Sequence, residues 1–264
     1  MAAMERLAVF ESESMLNGNP YEKSSSLLLM QHPWIFSSIL LIQLYMVTKL
    51  APQLMVHRKA FDLRPYMLVF NGLNFGTYGC GIATISYALS FCKDAWKCSS
   101  QLEGLTEWAI IYAAYLYLIM KLIETGSCVM MVLRKKPEQN PTACALYNTF
   151  SIALIYFGLK YHPHNIFMLE PYSECAKSTL KYAYYTLRVP NPTSRYEWLR
   201  KVLILFTILV DLLNIGHMSY LLRSGCAVSP ILMYGVLALC GSELSYVLYK
   251  LSAGKMRLSK AKSS

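Results

Sequence analysis

Lys121 and Glu124 lie three residues apart inside an apolar run, a spacing that puts them on one face of a helix and lets them pair away from water. Lys177 and Lys181 are four apart, again on one helical face, and Asp211 and Glu243 stand in later apolar runs. Ionisable groups in such runs are costly, so they mark either a functional site or structural ion pairs between packed helices. Spacing leaves both readings open and identifies no cross-helix pairing. A second set of groups sits in LRKKPEQNPTACALYNTFSIAL: three cations end one run, a proline-bounded loop follows, and a new run opens with Cys144, Tyr147 and Asn148. A thiol there needs an adjacent base to act as a nucleophile, and its own segment supplies none.

Other chemistries find less support. His32, His57, His162, His164 and His217 all fall in predicted loops or near predicted helix ends. The HxH of His162 and His164 has no neighbouring carboxylate or thiol cluster to complete a metal site. The eight cysteines include no CxxC pair and read mainly as small apolar packers. There is no glycine-rich phosphate loop and no carboxylate pair of glycosidase type. The basic loops lack interleaved aromatic platforms, which argues against a nucleic-acid partner. Neither a metal nor a resident cofactor is expected.

The elements that must position these groups are membrane helices. The chain is 55% hydrophobic and only 15% charged, with mean hydropathy +0.33. Crossing about 30 Å of hydrocarbon takes some 20 helical residues, and seven runs qualify, near 34–54, 66–92, 108–133, 143–161, 166–187, 199–222 and 228–250. The fifth is the weakest, because Glu170, Glu174, Lys177 and Lys181 all fall within it. Helices are required because lipid cannot satisfy free backbone amides. The expected organisation is a luminal segment over 1–33, a seven-helix domain over 34–250 and a basic cytosolic tail over 251–264.

Charge sets the orientation. Of the 25 Lys and Arg, 16 fall in the loops of one face and 6 in those of the other, with Lys121, Lys177 and Lys181 inside helices. The cytosolic side collects positive charge, so the N-terminus is expected in the lumen and the C-terminus in the cytosol. MAAMERLAVFESES lacks the charged-then-apolar order of a cleaved signal, so the N-terminus is expected to be retained. Lys260 and Lys262 give the tail a KxKxx pattern, read either as an ER-retrieval signal or as a basic segment attracted to anionic lipid. Cys98 and Cys226 fall in loops of the oxidising face, compatible with a disulfide.

Five stretches in order, LAPQLMVHRKAF, KLIETGSCVMMVLRKK, YFGLKY, KYAYY and the luminal Cys226 after the sixth run, resemble the ELO family of very-long-chain fatty acid elongases over residues 34 to 258. The resemblance implies an all-α membrane protein in the endoplasmic reticulum, with seven transmembrane helices around a closed-ended apolar acyl channel. It implies long-chain acyl-CoA and malonyl-CoA as ligands or substrates of a 3-ketoacyl-CoA synthase reaction. It also favours the Cys98–Cys226 disulfide and the ER-retrieval reading of Lys260 and Lys262. The cations Arg134, Lys135, Lys136, Arg200 and Lys201 would meet the phosphates of CoA, or would serve as topology signals alone.

This sequence departs from the family pattern where the chemistry should be. Aligned on YFGLKY, the family's HxxHH box falls on Cys144, Ala145, Leu146, Tyr147 and Asn148, so all three histidines are missing. Aligned on KYAYY, a further histidine of the fifth helix falls on Ser178. The KxxExxD element keeps Lys121 and Glu124 but has Ser127 in place of aspartate, and residues 199 to 215 lack the glutamines expected early in the sixth helix. Tyrosine, with a side-chain pKa of about 10, is a poor substitute for imidazole. Two readings follow. One is a catalytically impaired homologue that binds long-chain acyl-CoA or pairs, as a homo- or hetero-oligomer, with elongases or other elongation-cycle enzymes. The other is an active synthase with an atypical site.

Overall fold

The computed structural model describes residues 22–88, 96, 105–135, 140–161, 168–189, 196–225 and 229–263, and every regular element among them is a helix. Seven long helical segments form the bundle. α1 runs as Pro33–Tyr45, a π-helical stretch Met46–Leu50, and Ala51–Met55. The π-helical stretch ends two residues before Pro52 and contains Thr48, whose carbonyl, four residues back, the proline ring would meet in a regular turn; Pro52 has no N–H to offer it, and the wider turn accommodates the ring. α2 is Arg64–Ala88. α3 is Leu105–Glu124 and, after a break at Thr125, Gly126–Leu133.

α4, Pro141–Tyr161, starts where its sequence dictates. Asn140 accepts the Ala143 amide N–H on Oδ1 at 3.1 Å, and Pro141 supplies a helix-ready φ with no orphan donor. α5 is Leu169–Arg188. α6, Glu197–Ser224, ends at Gly225, whose φ of 62° lies in the left-handed region that glycine adopts without penalty. α7, Pro230–Ser263, continues as helix through the expected boundary at 250 into the tail.

Five of these segments are long and apolar enough to cross a membrane: Pro33–Met55, Trp108–Leu133, Pro141–Tyr161, Trp198–Ser224 and Pro230–Tyr249. Their outer faces are apolar, with Leu41, Ile42, Leu205, Leu209, Leu212 and Ile231 exposed, while Lys121, Glu124, Glu174, Lys177 and Asp211 are buried. Apolar residues outside and charges inside suit a lipid solvent; this is a membrane protein.

α5 explains its own weak apolar signal. Residues 170, 174, 177 and 181 recur at helical spacing, and α5 packs along α2 and α6 with Glu174 and Lys177 buried. It faces a polar interior, so its average hydropathy is low although it lies inside the bundle. Gly81 lets α2 approach: a Cβ there would lie 3.1 Å from Met120 Cε and 3.2 Å from Cys175 Sγ.

Two short helical turns, Glu22–Ser25 and Leu28–Gln31, precede α1. Leu27, Leu29 and Met30 are buried in a cluster with Phe36, Tyr156 and Leu159, and the Phe36 and Tyr156 rings stack with centroids 3.9 Å apart. Part of the expected 1–33 segment therefore packs into the helical domain.

Candidate functional site

The buried charges converge into one network. Lys121 Nζ lies 3.2 Å from Glu124 Oε2 within α3 and 3.4 Å from Glu174 Oε2 on α5. Lys177 pairs with Glu174 one turn away, and its Nζ reaches Asp211 Oδ1 on α6 at 3.1 Å and Glu243 Oε2 on α7 at 2.7 Å. Lys181 Nζ lies 2.5 Å from Glu124 Oε1. Three ammonium groups thus face four carboxylates contributed by four helices, a formal excess of one negative charge.

Glu124 is a saturated acceptor. Besides the two lysines it accepts the Tyr78 hydroxyl on Oε2 at 2.6 Å and the Tyr182 hydroxyl on Oε1 at 2.9 Å. A carboxylate offers about four lone-pair sites, and all are used, so Glu124 locks α2, α3 and α5 together. Asp211 contrasts with it: its side chain is wholly buried and Oδ2 makes no hydrogen bond.

Cys144, Tyr147 and Asn148, the residues expected at the positions of a histidine box, sit beside this network. Tyr147 donates its hydroxyl to Glu243 Oε2 at 2.9 Å. Asn148 is buried, with Nδ2 3.5 Å from Cys128 Sγ and 3.8 Å from Cys144 Sγ. Cys144 Sγ lies 2.8 Å from Cys128 Sγ, and both are free thiols. Ser178, expected at the position of the fifth helix's histidine, is buried on α5.

Two cavities stack along α3, α4, α5 and α7. A polar one of about 120 Å³ is lined by Lys121, Glu124, Tyr147, Asn148, Lys177 and Glu243, among others. That volume admits several water molecules. An apolar one of about 60 Å³ is lined by residues one to three turns further along the same helices, including Ala114, Leu154, Gly158, Met168 and Leu239, with Glu170 at its edge. From Tyr147 to Gly158 is eleven residues of α4, about 16 Å of helix at 1.5 Å per residue.

The remaining sequence candidates are more scattered. Arg134 Nη1 contacts Met67 Sδ at 2.7 Å, Lys135 Nζ reaches the Val56 carbonyl at 3.5 Å, and Arg200 and Lys201 are exposed at the start of α6. Lys136, Cys98 and Cys226 lie outside the described residues; Lys260 and Lys262 fall within α7. His162 and His164 also lie outside them, whereas His217, expected near a helix end, is fully buried on α6 with its ring 4.7 Å from that of Trp96.

Glu174 was missed as a hub. Read linearly, it only weakened the fifth span; the 170, 174, 177, 181 spacing was the signal that these charges share one face. Tyr78, Tyr147 and Tyr182 as donors, and Cys128 as the partner of Cys144, had no local signature. Glu174, Asp211 and Glu243 each offer a carboxylate oxygen within 4.8 Å of the others, but Lys177 Nζ already sits among them, so this is a cluster built for an ammonium group.

Comparison with known proteins extends these observations. Residues 28–249 match the family described as ELO: GNS1/SUR4 family. Very long chain fatty acid elongase 1 of Homo sapiens is 26% identical over 233 residues, covering 84% of this chain and 81% of its own length. The Mus musculus elongase 1 is 25% identical over 228 residues, covering 82% and 78%. Very long chain fatty acid elongase F of Drosophila melanogaster is 26% identical over 221 residues, covering 80% and 83%.

Proposed function

The chain belongs to the ELO family, and on that premise we propose that it acts in very-long-chain fatty acid metabolism by binding long-chain acyl-CoA without the family's histidine-box condensation. The observation that carries this reading is the pair of stacked cavities, one polar and one apolar, in which no described lining residue is a histidine. An acyl chain would lie in the apolar cavity with its thioester near Tyr147 and Asn148, and the CoA phosphates would meet the basic rim of Arg134, Lys135, Lys136, Arg200 and Lys201. All seven long helices would span the membrane of the endoplasmic reticulum, with the N-terminus luminal and the C-terminus cytosolic. Cys98 and Cys226 would pair on the luminal side, and Lys260 and Lys262 would serve retrieval.

Condensation asks for a group that accepts the acyl chain and a base or polar clamp for malonyl decarboxylation. The groups at the box positions are otherwise engaged. Tyr147 donates to Glu243, Cys144 is in contact with Cys128, and Glu124 has no free lone pair. The protein then serves as an acyl-CoA-binding member, alone or in an oligomer with active elongases or other elongation-cycle enzymes.

The competing reading is an active 3-ketoacyl-CoA synthase using the Cys144 thiol as acyl acceptor. Purified full-length protein incubated with labelled malonyl-CoA and acyl-CoAs of increasing length separates the two. The expected result is retained acyl-CoA and no 3-ketoacyl product above a protein-free control. Product that disappears in Cys144→Ala would establish the competing reading.

A further inference from the structure

We propose that Cys128 and Cys144 form a redox-modification site, a dithiol that a low-molecular-weight disulfide such as glutathione disulfide converts to an intramolecular disulfide tying the end of α3 to the start of α4. This holds whether or not the protein condenses acyl chains. Two sulfurs sixteen residues apart in sequence, on different helices, lie 2.8 Å apart. A disulfide bond is about 2.05 Å long, so bond formation needs an approach of less than about 1 Å. The two thiols differ in access as a reactive pair requires. Cys144 is partly exposed in the first turn of α4, beside the loop, and Cys128 is fully buried behind it.

The surroundings suit the oxidised form. Val47 and Ala51 of α1, Val132 of α3 and Ala145 of α4 surround the pair, and a disulfide has no S–H left to satisfy among them. Asn148 contacts both sulfurs and also lines the polar cavity, so the oxidation state of the pair lies one side chain from the candidate site.

The exchange balances without an external acceptor. The Cys144 thiolate attacks one sulfur of glutathione disulfide, forming a mixed disulfide and releasing one glutathione, which takes up the proton. The Cys128 thiolate then attacks Cys144 Sγ, closing the intramolecular bond and releasing the second glutathione. Two protein thiols are oxidised and one glutathione disulfide is reduced to two thiols. On the proposed topology the pair faces the cytosol, whose reducing poise makes such a bond transient and regulatory.

The test uses the full chain in detergent micelles, reduced with dithiothreitol, desalted, incubated with glutathione disulfide, then alkylated, digested with trypsin and read by mass spectrometry. The expected species links the peptide LIETGSCVMMVLR to the one holding Cys144, two hydrogens lighter than their sum, and dithiothreitol removes it. In Cys128→Ser, Cys144 should hold a persistent glutathione adduct; in Cys144→Ser, Cys128 should carry no glutathione and be alkylated once the protein is denatured. The proposal is overturned if the wild-type protein gives no linked peptides while a dithiol peptide added to the same sample is oxidised by the glutathione disulfide. The wild-type measurement decides the matter even if a variant fails to fold.

Discussion

Replacing Lys177 by methionine tests whether the buried charges hold the helices together. Lys177 is the only cation that the structure brings to Asp211 among the described residues, and it also contacts Glu174 and Glu243. Methionine keeps an unbranched stem of similar reach and removes the charge. Glu174 retains Lys121 at 3.4 Å and Glu243 retains the Tyr147 hydroxyl at 2.9 Å, but Asp211, wholly buried, is left with no cation. Breaking a buried ion pair by removing one partner costs about 3–5 kcal/mol, because the other charge stays desolvated. At roughly 2–4 °C per kcal/mol for a chain of this size, the thermal midpoint should fall by about 6–20 °C. Thermal unfolding of purified protein in detergent reads this shift. Lys177→Met/Asp211→Asn should recover much of it, since an amide needs no counter-ion. A single variant melting within about 2 °C of wild type, or a double variant no better than the single, would refute the reasoning.

Gly235→Ala should shorten the acyl chains that co-purify with the protein. Its Cβ would lie 2.6 Å from Leu154 Cδ2, and turning Leu154 away takes up space in the apolar cavity; mass spectrometry of retained acyl-CoA reads the length. Asn140→Ala should lower stability by about 0.5–2 kcal/mol through loss of the α4 N-cap, measured as a shift in the thermal midpoint. Arg200→Glu/Lys201→Glu should weaken acyl-CoA binding, with the loss shrinking as salt rises, because the contacts are exposed and screened. A loss that does not change between low and high salt would remove these two from the CoA rim.

The helical character of the chain and its membrane environment were legible because each rests on a local property, and five of the seven expected runs are helices long and apolar enough to span a membrane. A run of apolar residues long enough to span hydrocarbon is visible residue by residue, and an i, i+3 pair such as Lys121–Glu124 is fixed by helix geometry alone. That the segments opening the fourth helix and running along the fifth carry Cys144, Tyr147, Asn148 and Ser178 and no histidine is likewise read directly from the residues. α5 was harder, because average hydropathy falls when a helix faces a polar interior, and only the spacing of Glu170, Glu174, Lys177 and Lys181 preserved its orientation.

What the sequence by itself determined is therefore the set of helical runs and the side of each on which charges lie. The tertiary structure alone decided which partners meet: Lys177 with Asp211 and Glu243, Lys181 with Glu124, Tyr147 with Glu243, and Cys128 with Cys144. The reason is physical. Positions within one helix are set by a rise of about 1.5 Å per residue, whereas contacts between helices depend on their packing angle and relative depth. These are fixed by side-chain shape along the whole interface.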